Sequence, residues 1–154
     1  MINVSPCKKS DYDVLSQIEK SIFQDPISKI ELKNFEEQPA YKIWKIEEKK
    51  IVGFVSFFHV KDEIEIIKIC IIKTHQRKNY GSIIIDEIKR LNIKKIFLEV
   101  SVLNINAINF YLKNGFQKIG VRKGYYSNKN SSKIDALRLK LSINKNETLK
   151  TYVV

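Results

Sequence analysis

Apolar residues along the first third of the chain recur at helical spacing. After a short apolar start at Ile2 and Val4, Ser10-Asp11-Tyr12-Asp13 has the form of a helix start, with a serine able to cap and aspartates suited to the positive end of the dipole. Val14, Leu15, Ile18 and Ile22 follow at that spacing and predict a first helix with one face on the core. A loop, Phe23-Gln24-Asp25-Pro26, leads to Ser28-Lys29-Ile30-Glu31, a capping-box pattern that predicts a second short helix through about Phe35.

From Tyr41 the pattern becomes strand-like. Three strands are predicted as an antiparallel meander: Tyr41 to Ile46, Ile51 to Val60 and Glu63 to Ile72. The third alternates at first and then runs continuously apolar through Ile69, Cys70 and Ile71, as a strand does when it enters a buried centre. A polar loop from Lys73 to Tyr80 precedes a helix opening at Gly81, whose Ile84, Ile88 and Leu91 share a face. Ile96 to Val100 reads as a strand. Asn104 reads as the cap of a helix carrying Ala107, Ile108, Tyr111 and Leu112, and Gly115 stands where a left-handed residue ends it. Phe116 to Val121 and Ile134 to Leu141 predict a closing strand pair around a loop from Arg122 to Lys133. The expected architecture is α/β, a mixed and mostly antiparallel sheet with helices on both faces. Residues 1–141 are expected to form one domain, and 142–154 a loosely ordered tail.

Composition narrows the partners. At 154 residues and 44% hydrophobic content the chain is long enough for one core. No apolar run approaches membrane-spanning length and Met1 to Pro6 lacks a secretory pattern, so a soluble cytoplasmic protein is expected. Cys7, Cys70, His59 and His75 fit neither a disulfide framework nor a zinc cluster, and no metal is expected. A formal charge of +11 invites a polyanion such as RNA, an acidic protein or a phosphate-bearing cofactor. The positive charge is nearly all lysine, spread along a chain also rich in Ile and Asn, which is what an AT-rich genome produces whatever the function; direct nucleic-acid binding is not expected.

Gln76-Arg77-Lys78-Asn79-Tyr80-Gly81-Ser82 follows the buried strand and opens a helix, and free backbone N–H groups at a helix start hold phosphate cheaply. An ordinary basic strand-to-helix loop has the same form. The segment resembles the Q/R-x-x-G-x-G/A signature of the GNAT superfamily of N-acetyltransferases, with Gln76 and Gly81 in register and Asn79 replacing a glycine; Asn tolerates positive φ. The resemblance implies acetyl-coenzyme A as cosubstrate. Its phosphates would be held by Arg77, Lys78, Asn79, Tyr80, Gly81 and Ser82, and its pantetheine arm would pair with the backbone of Ile69, Cys70 and Ile71.

Leu98-Glu99-Val100, Asn104, Ala107-Ile108, Tyr111 and Gly115-Phe116 keep the spacing L-E-V-x-x-x-N-x-x-A-I-x-x-Y-x-x-x-G-F, which resembles the ribosomal-protein N-terminal alanine acetyltransferases (RimI-like). Agreement continues at Phe23, Pro26 and Ser28 and at Arg122, Tyr125 and Tyr126, so the similarity spans about residues 10 to 141. It implies Glu99 as general base, Tyr111 as general acid toward the coenzyme sulfur, and Asn104 as both cap and coenzyme contact. Taken as residues alone, Glu99 also fits a solvent-facing strand position and Tyr111 an amphipathic core residue. Glu65 is a rival base. Cys70, with isoleucine neighbours, is expected in the core and not as a nucleophile. Ile27, Ser101 and Lys68 depart from the residues usual in that family, tryptophan, arginine and a neutral polar group, at sites expected to shape the peptide groove. The expected acceptor is a protein N-terminus, with a ribosomal protein foremost. Acetylation of a lysine or small-molecule amine is the enzymatic alternative, and an inactive basic ribosome- or RNA-binding module is the alternative outside catalysis.

Overall fold

The computed structural model describes residues 1–24, 26–127, 130 and 132–145. Among these residues the strands follow the order β1-β2-β3-β4-β5-β7-β6 in a seven-stranded sheet, and the mixed α/β class is as expected. The described residues divide into two compact units, those of 1–60 with 66–91, and those of 61–65 with 92–145.

The first unit holds β1 (Asn3–Pro6), α1 (Tyr12–Ile22), α2 (Lys29–Glu36), β2 (Tyr41–Glu47), β3 (Ile51–Val60), the larger part of β4 (Glu63–Ile71) and α3 (Tyr80–Lys89). Ser10 does not cap α1. It lies inside a 3-10 turn, Lys9–Asp11, and the stronger acceptor nearby, the Asp11 carboxylate, reaches back to the Lys8 N–H at 2.8 Å. Val14 is exposed, because α1 settles on Phe54 and Cys70 with Leu15 and Ile18 at the middle of its stripe, which leaves Val14 at the stripe's outer edge, roughly 100° around the helix from Leu15. The position that completes the buried stripe is Glu19. α2 has the expected capping box: Ser28 Oγ accepts the Glu31 N–H at 3.2 Å while Glu31 Oε2 accepts the Ser28 N–H at 2.7 Å. β1, β2 and β3 pair antiparallel, with Val4 opposite Ile46 and Trp44 opposite Val55.

The second unit holds β5 (Lys95–Ser101), α4 (Ile105–Lys113), β6 (Gln117–Ser127) and β7 (Lys133–Ser142). Period-two alternation sorts its sheet into two faces. Ile96, Leu98 and Val100 stand opposite Leu141, Leu139 and Leu137, all buried; each such side chain contributes roughly 1.5–3 kcal/mol of burial. On the other face Phe97, Glu99 and Ser101 stand opposite Lys140, Arg138 and Ala136. Asn104 caps α4 as expected, its Oδ1 accepting the Ala107 N–H at 3.2 Å. The helix ends where Gly115 turns to φ 90°, with Gly115 N–H donating to Leu112 O and Phe116 N–H to Tyr111 O, both at 3.1 Å. β6 runs past the expected loop boundary at Arg122 as far as Ser127, because an irregularity between Arg122 and Tyr126 lets the strand resume pairing with β7. β7 includes Ser142, and Ile143 N–H donates to Lys94 O at 2.8 Å. Residues 146–154, most of the expected tail, lie outside the described residues, as does Asp25 of the expected first loop.

Candidate active site

The loop expected to meet the coenzyme phosphates, Gln76 to Ser82, lies in the first unit. Arg77 and Asn79 both adopt left-handed backbone, at φ 59° and 65°; Asn79 was expected to tolerate it and Arg77 was not singled out. Asn79 is the residue before α3, which begins at Tyr80, one residue earlier than expected. The first intrahelical bond is Ile83 N–H to Asn79 O at 3.0 Å, so the N–H groups of Tyr80, Gly81 and Ser82 belong to the open first turn. Alternating backbone handedness before a helix of ten residues makes a concave row of donors, and the Arg77 and Lys78 side chains add charge. These features fit a pyrophosphate. The Tyr80 side chain points elsewhere: it is buried, its hydroxyl donates to Glu48 Oε2 at 3.0 Å, and its ring meets His75 edge-on. Tyr80 can offer a phosphate only its backbone.

Gln76 ties this loop to the strand before it, its Nε2 donating to Ile71 O at 2.8 Å. On β3, a Cβ at Gly53 would fall 2.4 Å from Cys70 O and 2.6 Å from Ile71 Cδ1, so only glycine allows β4 to run this close to β3. Ile69 and Ile71 are half-buried and Cys70 is fully buried. Burial, then the Glu19 carboxylate, pushes the Cys70 thiol up to about 12, the chemistry of a core residue and not of a nucleophile.

Glu99 and Tyr111 lie in the second unit. The Glu99 side chain is 15% exposed, and directly across the ladder Arg138 Nε lies 3.4 Å from Oε1. Arg122 Nη1 stands 3.3 Å from Oε2 on the β6 side, and its guanidinium also covers the Tyr125 ring at 4.5 Å. Two guanidinium groups thus fix the orientation of one carboxylate. Tyr111 sits on the buried face of α4 with Ile108, its ring edge-on to Phe110 and Phe116. Burial, then the nearby Tyr126 phenol, pushes its hydroxyl well above the ordinary range, so it stays protonated at neutral pH. Tyr126 lies against the main chain of Glu99, its hydroxyl donating to the Glu99 carbonyl oxygen at a long 3.5 Å, and its own acidity is weakened by burial, by Tyr125 and by Glu99. Asn104 is exposed, with its side-chain oxygen occupied by the helix cap. The rival base, Glu65, is exposed on β4. Ser101 Oγ accepts the Leu103 N–H at 3.2 Å. Sequence reasoning missed Arg138, whose place opposite Glu99 depends on the β5–β7 register, and it missed Gly53.

In the first unit, open N–H groups ahead of α3 stand beside two basic side chains, a combination suited to a phosphate-bearing ligand. In the second, a carboxylate meets two guanidinium groups and a phenol lies against its main chain, groups suited to proton transfer. The chain matches the profile of the acetyltransferase (GNAT) family over residues 12–116 and belongs to that family. It is 29% identical over 127 residues to the [ribosomal protein bS18]-alanine N-acetyltransferase of Haemophilus influenzae, covering 80% of this chain and 86% of that one. The crystal structure of the ribosomal-protein-S18-alanine N-acetyltransferase from Escherichia coli superposes with a TM-score of 0.80 at 25% identity, over 94% of this chain and 95% of that one. Arabidopsis thaliana NAA60, solved with a bisubstrate analogue, shares the fold at a TM-score of 0.79 and 18% identity, over 94% and 99% of the two chains. Among the described residues no helix is long and apolar enough to cross a membrane.

Proposed function

We propose that this chain transfers the acetyl group of acetyl-coenzyme A directly to the α-amine of a protein N-terminus, with the alanine terminus of a ribosomal protein as acceptor. The observation that carries the reading is the Glu99 carboxylate, met by Arg122 and Arg138 and with the Tyr126 hydroxyl against its main chain, combined with relatives whose names specify that reaction. The N–H groups of Tyr80, Gly81 and Ser82 with Arg77 and Lys78 would hold the phosphates, and the backbone of Ile69 to Ile71 would hold the pantetheine arm.

Attack on a thioester requires a neutral amine. An α-amine has a reference pKa near 7.7 to 8.0, so roughly a tenth is neutral at pH 7 and one carboxylate suffices to accept the proton shed on attack. Glu99, held by Arg122 and Arg138, takes that proton directly or through one water. Tyr111 enters the reaction protonated because burial disfavours the phenolate. As the general acid it would donate its hydrogen bond to the sulfur as negative charge builds there, the same burial making full release of the proton costly. The thiol would take its final proton from solvent while Glu99 returns the amine's proton to solvent. Cys70 takes no part, which makes transfer a single displacement in a ternary complex.

Incubation with labelled acetyl-coenzyme A and paired peptides, free or blocked at the N-terminus, tests this. Label is expected on free termini beginning with alanine and on none of the blocked peptides. Label only on lysine side chains would overturn the assignment.

A further inference from the structure

Glu19 has no part in the chemistry above, yet its side chain is only 2% exposed. A buried carboxylate is costly unless donors occupy its oxygens and a cation meets its charge. Both requirements are met within the first unit. Oε2 accepts the backbone N–H of Ile27 at 2.6 Å, and Oε1 accepts Lys68 Nζ, from β4, at 3.1 Å. The Glu19 carbonyl oxygen accepts the Phe23 N–H at 2.8 Å, and the Lys68 ammonium stands 4.5 Å from the centre of the Phe23 ring. One carboxylate and one ammonium therefore hold two points of the α1–α2 connection, Phe23 and Ile27, against β4, one residue before Ile69. The Glu19 charge is felt around it: after burial, it adds to the upward push on the Cys70 thiol, and it raises the Tyr41 phenol.

We propose that Glu19 and Lys68 form a latch that sets Phe23 and Ile27 in place before the acceptor arrives, making the pair positioning residues for the first residues of the acceptor peptide. The proposal rests on the N-terminal acetyltransferase reading, in which Ile27 and Lys68 border the peptide. A binding edge fixed in advance removes its ordering cost from the binding step. Lys68 is essential to that arrangement because any neutral residue in its place would leave Glu19 buried without a countercharge. The lysine that departs from the family pattern is thereby explained by a carboxylate 49 positions earlier in the chain.

The test compares Lys68→Met, Glu19→Gln, the double variant and Lys68→Arg with the wild type. Three quantities are measured: KM for an alanine-terminated peptide, calorimetric affinity for acetyl-coenzyme A, and the rate of chymotryptic cleavage after Phe23. Either single neutral variant is expected to lower kcat/KM for the peptide by about 10- to 100-fold, mainly through KM, as loss of a preorganised binding edge does. Coenzyme affinity should stay within about twofold of wild type while cleavage after Phe23 accelerates. The double variant should be no worse than Lys68→Met, since the two residues act as one unit. Lys68→Arg keeps the charge and should keep wild-type peptide KM, which guards against a Lys68→Met protein that fails to fold. An unchanged peptide KM in a variant that is cleaved faster overturns the proposal, as does a matching loss of coenzyme affinity. A wild-type protein that binds acetyl-coenzyme A but acetylates no free N-terminus overturns the parent reading, and the peptide role with it.

Discussion

Gly53→Ala is the substitution that most directly connects packing to activity. The added methyl would stand 2.4 Å from Cys70 O, 2.6 Å from Ile71 Cδ1 and 3.2 Å from Ile46 Cγ2. The Ile71 side chain can rotate away, but a strand carbonyl cannot. Ordinary contact therefore requires β3 and β4 to part locally by roughly 1 Å, a strain of the size that overpacked cores show, about 1–3 kcal/mol. In a chain of this length that lowers Tm by about 3 to 10 °C. The displacement falls on Cys70 and Ile71, the backbone assigned to the pantetheine arm, and a misplacement near 1 Å can cost about 10²-fold in rate. Thermal unfolding of the purified variant, followed by calorimetric titration with coenzyme A, separates the two effects. The expected result is a folded protein with a lowered Tm and markedly weakened coenzyme binding. A Tm within about 1 °C of wild type would refute the packing argument. A lowered Tm with undiminished coenzyme affinity would refute the placement of the arm on these residues.

Glu99→Gln should slow acetyl transfer by about 10² to 10⁴ at neutral pH, with the loss shrinking as pH rises and the amine loses its proton unaided; steady-state rates across pH check both. Tyr111→Phe should hold its Tm and coenzyme affinity, because packing volume barely changes, but lose kcat toward the lower end of about 10² to 10⁴, the leaving thiol being a tolerable anion; a wild-type kcat in the folded variant would return Tyr111 to the core. The pH dependence of stability has a definite sign. Burial pushes both thiols, Cys7 and Cys70, up to about 12, whereas an unfolded thiol releases its proton near about 8.5. Above that pH the unfolded chain holds fewer protons than the folded one, so stability should fall steadily as pH rises toward the folded values. Urea midpoints between pH 7 and pH 10 measure it, and a midpoint constant over that range would contradict the burial of the thiols.

Sequence reasoning succeeded where one local rule decided the outcome. The Ser28 box, the Asn104 cap and the Gly115 terminus each depend on groups three to five residues apart, and each is present. It failed at the start of α1: Ser10 falls inside a 3-10 turn, the Asp11 carboxylate turns back to the Lys8 N–H, and neither side chain caps the helix. Positions decided by long-range partners were out of reach. Glu19 reads as a solvated helix residue until Lys68 is known to lie beside it, although its place four residues after Leu15 was an available sign. Arg138 is an ordinary strand residue until the register sets it opposite Glu99. Tyr80 was assigned to the coenzyme by its motif position, and only the contact with Glu48 reveals that its side chain serves the fold.

The two left-handed residues of the loop before α3 bear on how quickly the coenzyme proposed for it would be captured. Arg77 and Asn79 carry side chains in a backbone region that L-residues enter at some expense, smaller for asparagine than for arginine. The folded chain meets that expense continuously, through the helix start at Tyr80 and the bond from Gln76 to Ile71. On the proposed coenzyme reading, a phosphate that reaches the loop would find its donors already oriented, with no slow ordering step between encounter and complex in this segment. Its association rate should then follow the encounter frequency with a basic loop, falling as salt screens Arg77 and Lys78 and showing no plateau at high ligand concentration.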